Sequence, residues 1–386
     1  MTARPQRPTT VSKTDGTWTP FERRLAGRLL DLAEKGRGLA SPNPLVGAIL
    51  MKGRRIIAEG YYRKFGGPHA EIMALKKAGA RARGATLWSS LEPCTIEAKT
   101  PPCTGALIAA GVKKVIYLAE DPNPRVRATA ARQLRRGGVA CEFRPLPRAA
   151  ALNFGFARWI RSGRPFVTLK AAASLDGRIA DHAGKSRGLG DGAQQRIVHA
   201  LRAGHDAVLI GAGTLRADDP ALTVRHGARS PRLIRVLLDR RLEVSPRARL
   251  FSTLAQGPIW IMTDVARAQS RKAAALRARG AEILPLVNGA SHISRLLGLL
   301  ASRGVTSLLV EGGGAVHGRF IKAGAWDRLL LWIMPVFLGE RGVPLARLGA
   351  VNLARAPRLQ LDHGHGDGDG LLLIAAPREK TQPRKK

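Results

Sequence analysis

Four residues in the N-terminal part of the chain have the types and spacing to hold a metal and move a proton: His69, Glu71, Cys94 and Cys103. One imidazole and two thiolates supply three zinc ligands and leave the fourth tetrahedral position open, as catalytic rather than structural sites do. Glu71 follows His69 by two residues, so it lies near the metal without having to ligate it. A carboxylate there can take a proton from water and pass it to a leaving amine. All three ligands are expected at helix starts, where the partial positive charge of the helix end favours thiolate over thiol. The expectation is one zinc per chain on His69, Cys94 and Cys103, with Glu71 as the catalytic acid–base.

The elements that must position these residues follow from pattern. Thr19-Pro20-Phe21-Glu22 reads as a capping box with Pro at the first helical position. The helix it opens carries Phe21, Leu25, Leu29 and Leu32 on one face and stops at Gly36. Leu45–Met51 and Arg55–Glu59 form a hairpin around Lys52-Gly53. A helix is expected over His69–Lys77 and a strand over Thr86–Leu91, running into Glu92-Pro93-Cys94. Then come helix Cys103–Ala110, strand Lys113–Ala119, helix Val126–Arg136 and strand Val139–Phe143. This alternation gives a layered α/β domain over residues 21–148.

A linker over 149–163 carries a connecting helix, Ala149–Ile160. A second α/β series fills 164–376. Its strands are expected at Phe166–Ala171, Ala207–Ile210, Ile234–Leu238, Ile259–Thr263, Glu282–Leu286, Ser307–Glu311, Leu329–Pro335 and Leu371–Ala375. Its helices are expected at Gln194–Arg202, Val265–Arg279, Ile293–Arg303 and Val316–Ala323. Residues 1–20 and 377–386 read as basic tails.

Composition narrows the function classes. Forty-five per cent of the 386 residues are apolar, enough for real cores. No apolar run is long enough for a transmembrane helix, and no apolar h-region suggests export. Three cysteines, Cys94, Cys103 and Cys141, are too few for a disulfide framework and suit a cytoplasmic metalloprotein. The net charge of +36 would fit nucleic acid, an anionic membrane or phosphorylated small molecules. The charge is spread along the chain, and aromatic residues make up only 5%. That favours anionic small molecules over a base-stacking surface. Homo-oligomerisation stays open.

His-x-Glu followed by paired Pro-Cys is the signature of zinc-dependent base deaminases. Here eight residues separate Cys94 from Cys103, where that signature has two. With this spacing, Thr100-Pro101-Pro102-Cys103, Asn43-Pro44-Leu45-Val46-Gly47 and Asp121-Pro122-Asn123-Pro124 resemble the bifunctional riboflavin-biosynthesis deaminase/reductase family. The resemblance covers about residues 20–376. It implies a cytidine-deaminase-like α/β/α first domain. That domain would deaminate a diamino-pyrimidinone carrying a 5-phosphoribosylamino group to the corresponding uracil. It also implies that Asn43, Lys99, Asp121 and Asn123 hold the pyrimidine and its ribose phosphate, with Lys99 a suitable point charge for phosphate. Two departures alter the lining. Tyr62 stands where the family usually has His, and Thr95-Ile96-Glu97-Ala98 replaces Ser-His-x-Gly.

The second half lacks a Gly-x-Gly-x-x-Gly run. Gly211-Ala212-Gly213-Thr214-Leu215-Arg216 fails at the third glycine, and Gly312-Gly313-Gly314 between a strand and a helix is by pattern only a weak nucleotide site. Here too the same family is resembled, through Leu169–Gly177, Ala217–Arg225 and Val310–Gly314. The resemblance implies a dihydrofolate-reductase-like α/β fold that uses NADPH to reduce the ribosyl group to ribityl. Lys170, Ser186, Arg202, Leu222, Arg225 and Glu311 would face the substrate, Arg202 and Arg225 suiting its phosphate. Ala172, Gly188, Thr214, Asp218, Gly313, Gly314, Ala315, Val316, His317, Gly318 and Arg319 would face the cofactor. Lys170 or Glu311 is the candidate proton donor for the opened ring oxygen. Arg240, just past the strand Ile234–Leu238, is a candidate partner for a 2′-phosphate. Gly188 replaces a family Trp, which predicts weak NADPH binding and some recovery on Gly188→Trp. A single-activity pyrimidine deaminase with a degenerate reductase half is the alternative. A base deaminase acting on nucleic acid and a non-catalytic basic module are less favoured, by the Cys94–Cys103 spacing and the intact metal set respectively.

Overall fold

The computed structural model describes residues 18–96, 101–186, 188–190, 192–225, 233–287, 292–367 and 369–378. In the first half, strands β1 (Gly47–Lys52), β2 (Arg55–Tyr61), β3 (Thr86–Ser89), β4 (Lys114–Tyr117) and β5 (Ala140–Phe143) form one sheet in the order β2-β1-β3-β4-β5. β1 runs antiparallel to β2 and β3, while β3, β4 and β5 are parallel. β1 is buried on both faces because helices cover both. Its Ile49 and Met51 pack with Leu25, Leu29, Trp88 and Ile116 under the helix Pro20–Glu34. Its Ala48 and Leu50 face Ala70, Ala74, Leu107 and Leu134 from the helices Ala70–Ala78, Cys103–Ala109 and Ala130–Arg136. The capping box forms: Thr19 Oγ1 accepts from Glu22 N, and Glu22 accepts from Thr19 N.

One close approach fixes the metal-bearing helix. A Cβ on Gly60 of β2 would lie 2.1 Å from the Ala70 carbonyl oxygen. Glycine there lets the start of Ala70–Ala78, with His69 and Glu71, press onto the sheet.

The second half is built on a nine-stranded sheet. Its strands are β6 (Phe166–Ser174), β8 (Ala207–Gly211), β9 (Ile234–Leu238), β10 (Ile259–Thr263), β11 (Ala281–Pro285), β12 (Ser307–Gly312), β13 (Arg328–Met334), β15 (Leu359–Asp367) and β16 (Gly370–Pro377). The order is β11-β10-β9-β8-β12-β6-β13-β16-β15, parallel from β11 to β13 and antiparallel beyond. β7 (Arg178–Ala180) and β14 (Val343–Pro344) form a separate pair. Central strands such as β8 and β10 are buried along their whole length, which is why they read as unbroken apolar runs.

Several boundaries differ from expectation. The connecting helix is two, Pro147–Leu152 and Phe154–Ser162. Between them the buried Asn153 exchanges two hydrogen bonds with the backbone of Leu45. Val265–Arg279 is likewise split, because Ser270 caps a new helix over Arg271–Ala278. The helix expected from Val126 begins at Ala130, after Ala128 takes a positive φ of 60°. The helix Ala212–Asp218 was hidden by its flanking glycines, and β15 by a Gly-rich sequence with a register shift between Leu361 and His363.

The halves meet at the end of the second sheet where its parallel strands begin. Ser41 donates to Asp206, and Arg37 donates to the Gly204 carbonyl at 3.2 Å.

Candidate active sites

His69 is the N-cap of its helix, and Cys103 is the first residue of Cys103–Ala109. Cys94, expected at a helix start, lies in the loop after β3 instead. His69 Nδ1 lies 3.2 Å from Cys103 Sγ and 3.4 Å from Cys94 Sγ, and the three ligand atoms all fall within 4.8 Å of one another. A tetrahedral zinc with its usual Zn–N and Zn–S lengths needs N···S edges of about 3.5 Å. The donor set and its spacing therefore fit zinc.

The charge state fits as well. Without metal, a proton donated from Cys103 and the bond to His69 draw the Cys94 thiol down to about 4, while the same sharing pushes Cys103 up. The pair holds a proton that a metal ion would displace. The Cys94 thiolate raises the pKa of His69.

Glu71 is 3% exposed and its Oε2 lies 3.7 Å from Cys103 Sγ. Burial, reinforced by the Cys94 charge, pushes its carboxyl up to about 6. A group poised near neutrality can both accept and return a proton.

Asn43 and Tyr62 are brought together beside the metal cluster. Asn43 Nδ2 donates to Tyr62 Oη at 2.9 Å, Gly66 N donates to the same oxygen at 3.0 Å, and the Tyr62 ring stands edge-on to His69 with centroids 5.6 Å apart. The phenol thus ties an expected substrate residue to a metal ligand. Asp121 is buried, which pushes its carboxyl up to about 6, with the charges of Glu92 and Cys94 adding to the effect. Its Oδ1 accepts from Asn123 N at 2.8 Å, so the two residues form one turn. Lys99 and Glu97 lie outside the described residues. Sequence reasoning missed Glu92, whose buried carboxylate accepts from three backbone N–H groups of the segment 121–130. Its place immediately before Pro93-Cys94 was the available signal.

The second site is a cleft of about 920 Å³ at the carboxyl ends of β6, β8 and β12. Lys170, Ser186, Arg202, Leu222, Arg225 and Glu311 all line it. So do Ala172, Gly188, Thr214, Asp218, Gly313, Gly314, Ala315, Val316 and His317. Gly318 and Arg319 do not; a Cβ on Gly318 would meet the Arg347 carbonyl. Arg240 does not line the cleft either, and its Nε lies 3.3 Å from Asp264.

Arg202 is not available as a simple phosphate clamp. Its Nε and Nη2 make a bidentate pair with Glu311 at 2.6 and 2.7 Å, and Nη1 donates to the Thr223 carbonyl. Burial works to raise the Glu311 pKa, but the Arg202 and Lys170 charges outweigh it and hold the carboxylate ionised. Burial pushes the Lys170 ammonium down from its ordinary value. Ser186 donates to Asp218 at 3.1 Å. His199, also missed in the sequence, lines the cleft and accepts from Arg225 N at 3.2 Å.

A dinucleotide fits this cleft. Its volume matches that of cofactor sites. A Cβ on Gly313, which has φ 77°, would fall 2.8 Å from Thr214 Oγ1, so glycine keeps open the mouth of the helix Gly314–Lys322. Gly188 has φ 92° with open space around it. A Trp at that backbone position would be strained, so the loop is built for glycine and the expected gain from Gly188→Trp does not follow.

Fold and sites define the class: a zinc-dependent deaminase joined on one chain to an NADPH-dependent reductase. Residues 21–119 match the cytidine and deoxycytidylate deaminase zinc-binding region, and residues 165–373 match the RibD C-terminal domain. The riboflavin biosynthesis protein RibD of Bacillus amyloliquefaciens is 37% identical over 353 residues, spanning 91% of this chain and 95% of its own. The Escherichia coli protein of the same name is 36% identical over 349 residues, spanning 86% of this chain and 93% of its own. The crystal structure of a diaminohydroxyphosphoribosylaminopyrimidine deaminase/5-amino-6-(5-phosphoribosylamino)uracil reductase from Thermotoga maritima superposes with a TM-score of 0.80 at 33% identity, covering 93% of this chain and 99% of that one.

The chain belongs to the RibD family of bifunctional riboflavin-biosynthesis enzymes. It is a hydrolase and an oxidoreductase in one chain, acting on a small pyrimidine. Both halves match, so a lone deaminase is not favoured. No helix among the described residues is long and apolar enough to cross a membrane.

Proposed function

We propose that the first site replaces the exocyclic amine of a diamino-pyrimidinone carrying a 5-phosphoribosylamino group with oxygen from water. The second site then reduces the ribosyl group of that product to ribityl. The observation that carries this is the buried Glu71 carboxylate beside the His69–Cys94–Cys103 cluster. These three residues would hold zinc, which when bound supplies the Lewis acidity for attack by water at neutral pH. Glu71 takes the proton from the attacking water and delivers it to the leaving amine. Asn43, Asp121 and Asn123 orient the pyrimidine, and Lys99 takes the phosphate.

In the cleft, Thr214, Asp218 and the segment Gly313–His317 position NADPH, which supplies the hydride for C1′. Opening the ring requires a proton at the ring oxygen. Glu311 is held ionised by Arg202, so the donor is Lys170, whose lowered pKa eases proton release. Arg225 takes the substrate phosphate, and Arg202 holds Glu311 in place. We assign the deaminase to residues 21–148, the linker to 149–163 and the reductase to 164–376. The reading places the enzyme in the cytoplasm, where its thiols stay reduced, with a small anionic substrate in place of nucleic acid.

A coupled assay on the diamino-pyrimidinone phosphoriboside tests this. Ammonia should appear without NADPH, and NADPH should be oxidised only after ammonia release. Absence of ammonia release by zinc-loaded protein would overturn the deaminase reading.

A further inference from the structure

Glu92 lies two residues before Cys94 and is 2% exposed. Its carboxylate points into the chain's own backbone. Oε2 accepts from Asp121 N at 3.3 Å and Ala128 N at 3.0 Å, and Oε1 accepts from Ala130 N at 3.0 Å. The bonded segment is irregular, with Ala128 in the left-handed region at φ 60°. Non-glycine residues hold that conformation only where their surroundings fix it. A second tie lies on the other side of the same ligand, where Thr95 Oγ1 meets Thr129 Oγ1 at 2.7 Å. The two residues flanking Pro93-Cys94 therefore clasp one segment, 121–130.

That segment carries Asp121 and Asn123. Asn123 N is in turn held by Asp121 Oδ1 at 2.8 Å. The chain of contacts runs from the metal ligand Cys94 through Glu92 to the backbone of Asp121 and on to Asn123. An ionised carboxylate has about four acceptor positions and no donor, which suits a cage of N–H groups. Bonds from N–H groups to a charged acceptor are also stronger than neutral ones.

We propose that Glu92 is a positioning residue for deamination: it sets the distance between the metal and the substrate-holding turn Asp121–Asn123. It touches neither the substrate nor the reacting atoms. The inference rests on the reading, made above, that Asp121 and Asn123 contact the pyrimidine.

Glu92→Gln is the test, because the amide keeps the size but turns one acceptor into a donor facing an N–H. The variant should still bind about one zinc per chain. Its KM for the diamino-pyrimidinone phosphoriboside should rise about tenfold, the scale of one lost hydrogen bond to a charged group. Its kcat should stay within about twofold, since the metal and Glu71 are unmoved. Reduction of the already deaminated product should be unchanged. An unchanged KM, a fall in kcat alone, or loss of zinc would each overturn the proposal.

Thr95→Val removes the second tie and should raise KM about threefold, so the claim stays testable if Glu92→Gln does not fold. If it does not, an unchanged KM in Thr95→Val overturns the proposal. Asn123→Ala separates the two layers of the argument. If Asn123→Ala raises KM and Glu92→Gln does not, the positioning role fails and the substrate reading stands. If Asn123→Ala leaves KM unchanged, the substrate reading itself fails.

Discussion

The two sites of this chain are built in opposite ways. At the metal cluster, one helix with its cap, a second helix start and one loop bring four side chains together, and Glu92 and Thr95 tie that loop to the segment 121–130. At the reductase cleft, the working groups come from three strand ends and several loops, and their states depend on each other through the Arg202–Glu311 pair and Lys170. The first arrangement is local and written in short motifs. The second is assembled by topology, because β12 enters the sheet between β8 and β6. A single substitution should therefore remove one function cleanly in the first half and disturb the surrounding structure in the second.

The largest effect should come from Cys103→Ala. It should abolish zinc binding and deamination together while leaving reduction of the deaminated substrate intact. Metal analysis alongside both assays checks this, and a parallel loss of reduction would erase the contrast between the sites.

Glu311→Ala should act differently, leaving a buried guanidinium unpaired. It should cost the reductase half about 3–5 kcal/mol of stability as well as its activity. Denaturant unfolding of the variant would show it; an unchanged midpoint would mean that the pair is less buried than its geometry indicates.

The junction gives a smaller, pH-dependent effect. His205 Nδ1 donates to Leu201 O at 2.7 Å, its Nε2 accepts from Thr168 Oγ1 at 2.9 Å, and burial pushes its pKa down to about 4. The folded state therefore keeps the ring neutral while the unfolded chain takes up a proton below about pH 6.5. Stability from this residue is fully present above that pH and is lost as pH falls towards about 4, in total about 3 kcal/mol. Comparing unfolding midpoints at pH 7.5 and 4.5 for wild type and His205→Gln checks the sign: the variant should lose less on acidification.

The smallest effect concerns Gly188. Its φ of 92° makes Gly188→Trp a strained change, so NADPH affinity should not improve. Titration showing a tenfold gain would restore the view that the missing ring weakens the cofactor site.

The same contrast explains what the sequence could reveal. His69-Ala70-Glu71 and the two Pro-Cys pairs stand close in the chain, so their chemistry was readable before any fold was known. Central strands such as β9 and β10 match their expected bounds to the residue, because burial on both faces leaves a mainly apolar run, broken in β9 only by the buried Arg235. Arg202 misled because a phosphate clamp and a buried ion-pair partner have the same side chain; only the fold shows Glu311 beside it. Arg240 misled for a similar reason, since strand-end position alone does not show that Asp264 is its neighbour. Glu92 was overlooked because its partners are backbone N–H groups, which carry no mark in a sequence.

The central claim is that one chain carries two independent sites acting in order, with Glu71 as the proton carrier of the first. Glu71→Gln, loaded with zinc and supplied with NADPH, tests it most directly by following ammonia and NADPH together. On the diamino-pyrimidinone phosphoriboside it should release ammonia at least about 10²-fold more slowly than wild type and oxidise NADPH no faster than that. On the deaminated uracil it should oxidise NADPH at the wild-type rate. Near-normal ammonia release, or rapid NADPH oxidation on the aminated substrate, would contradict the account.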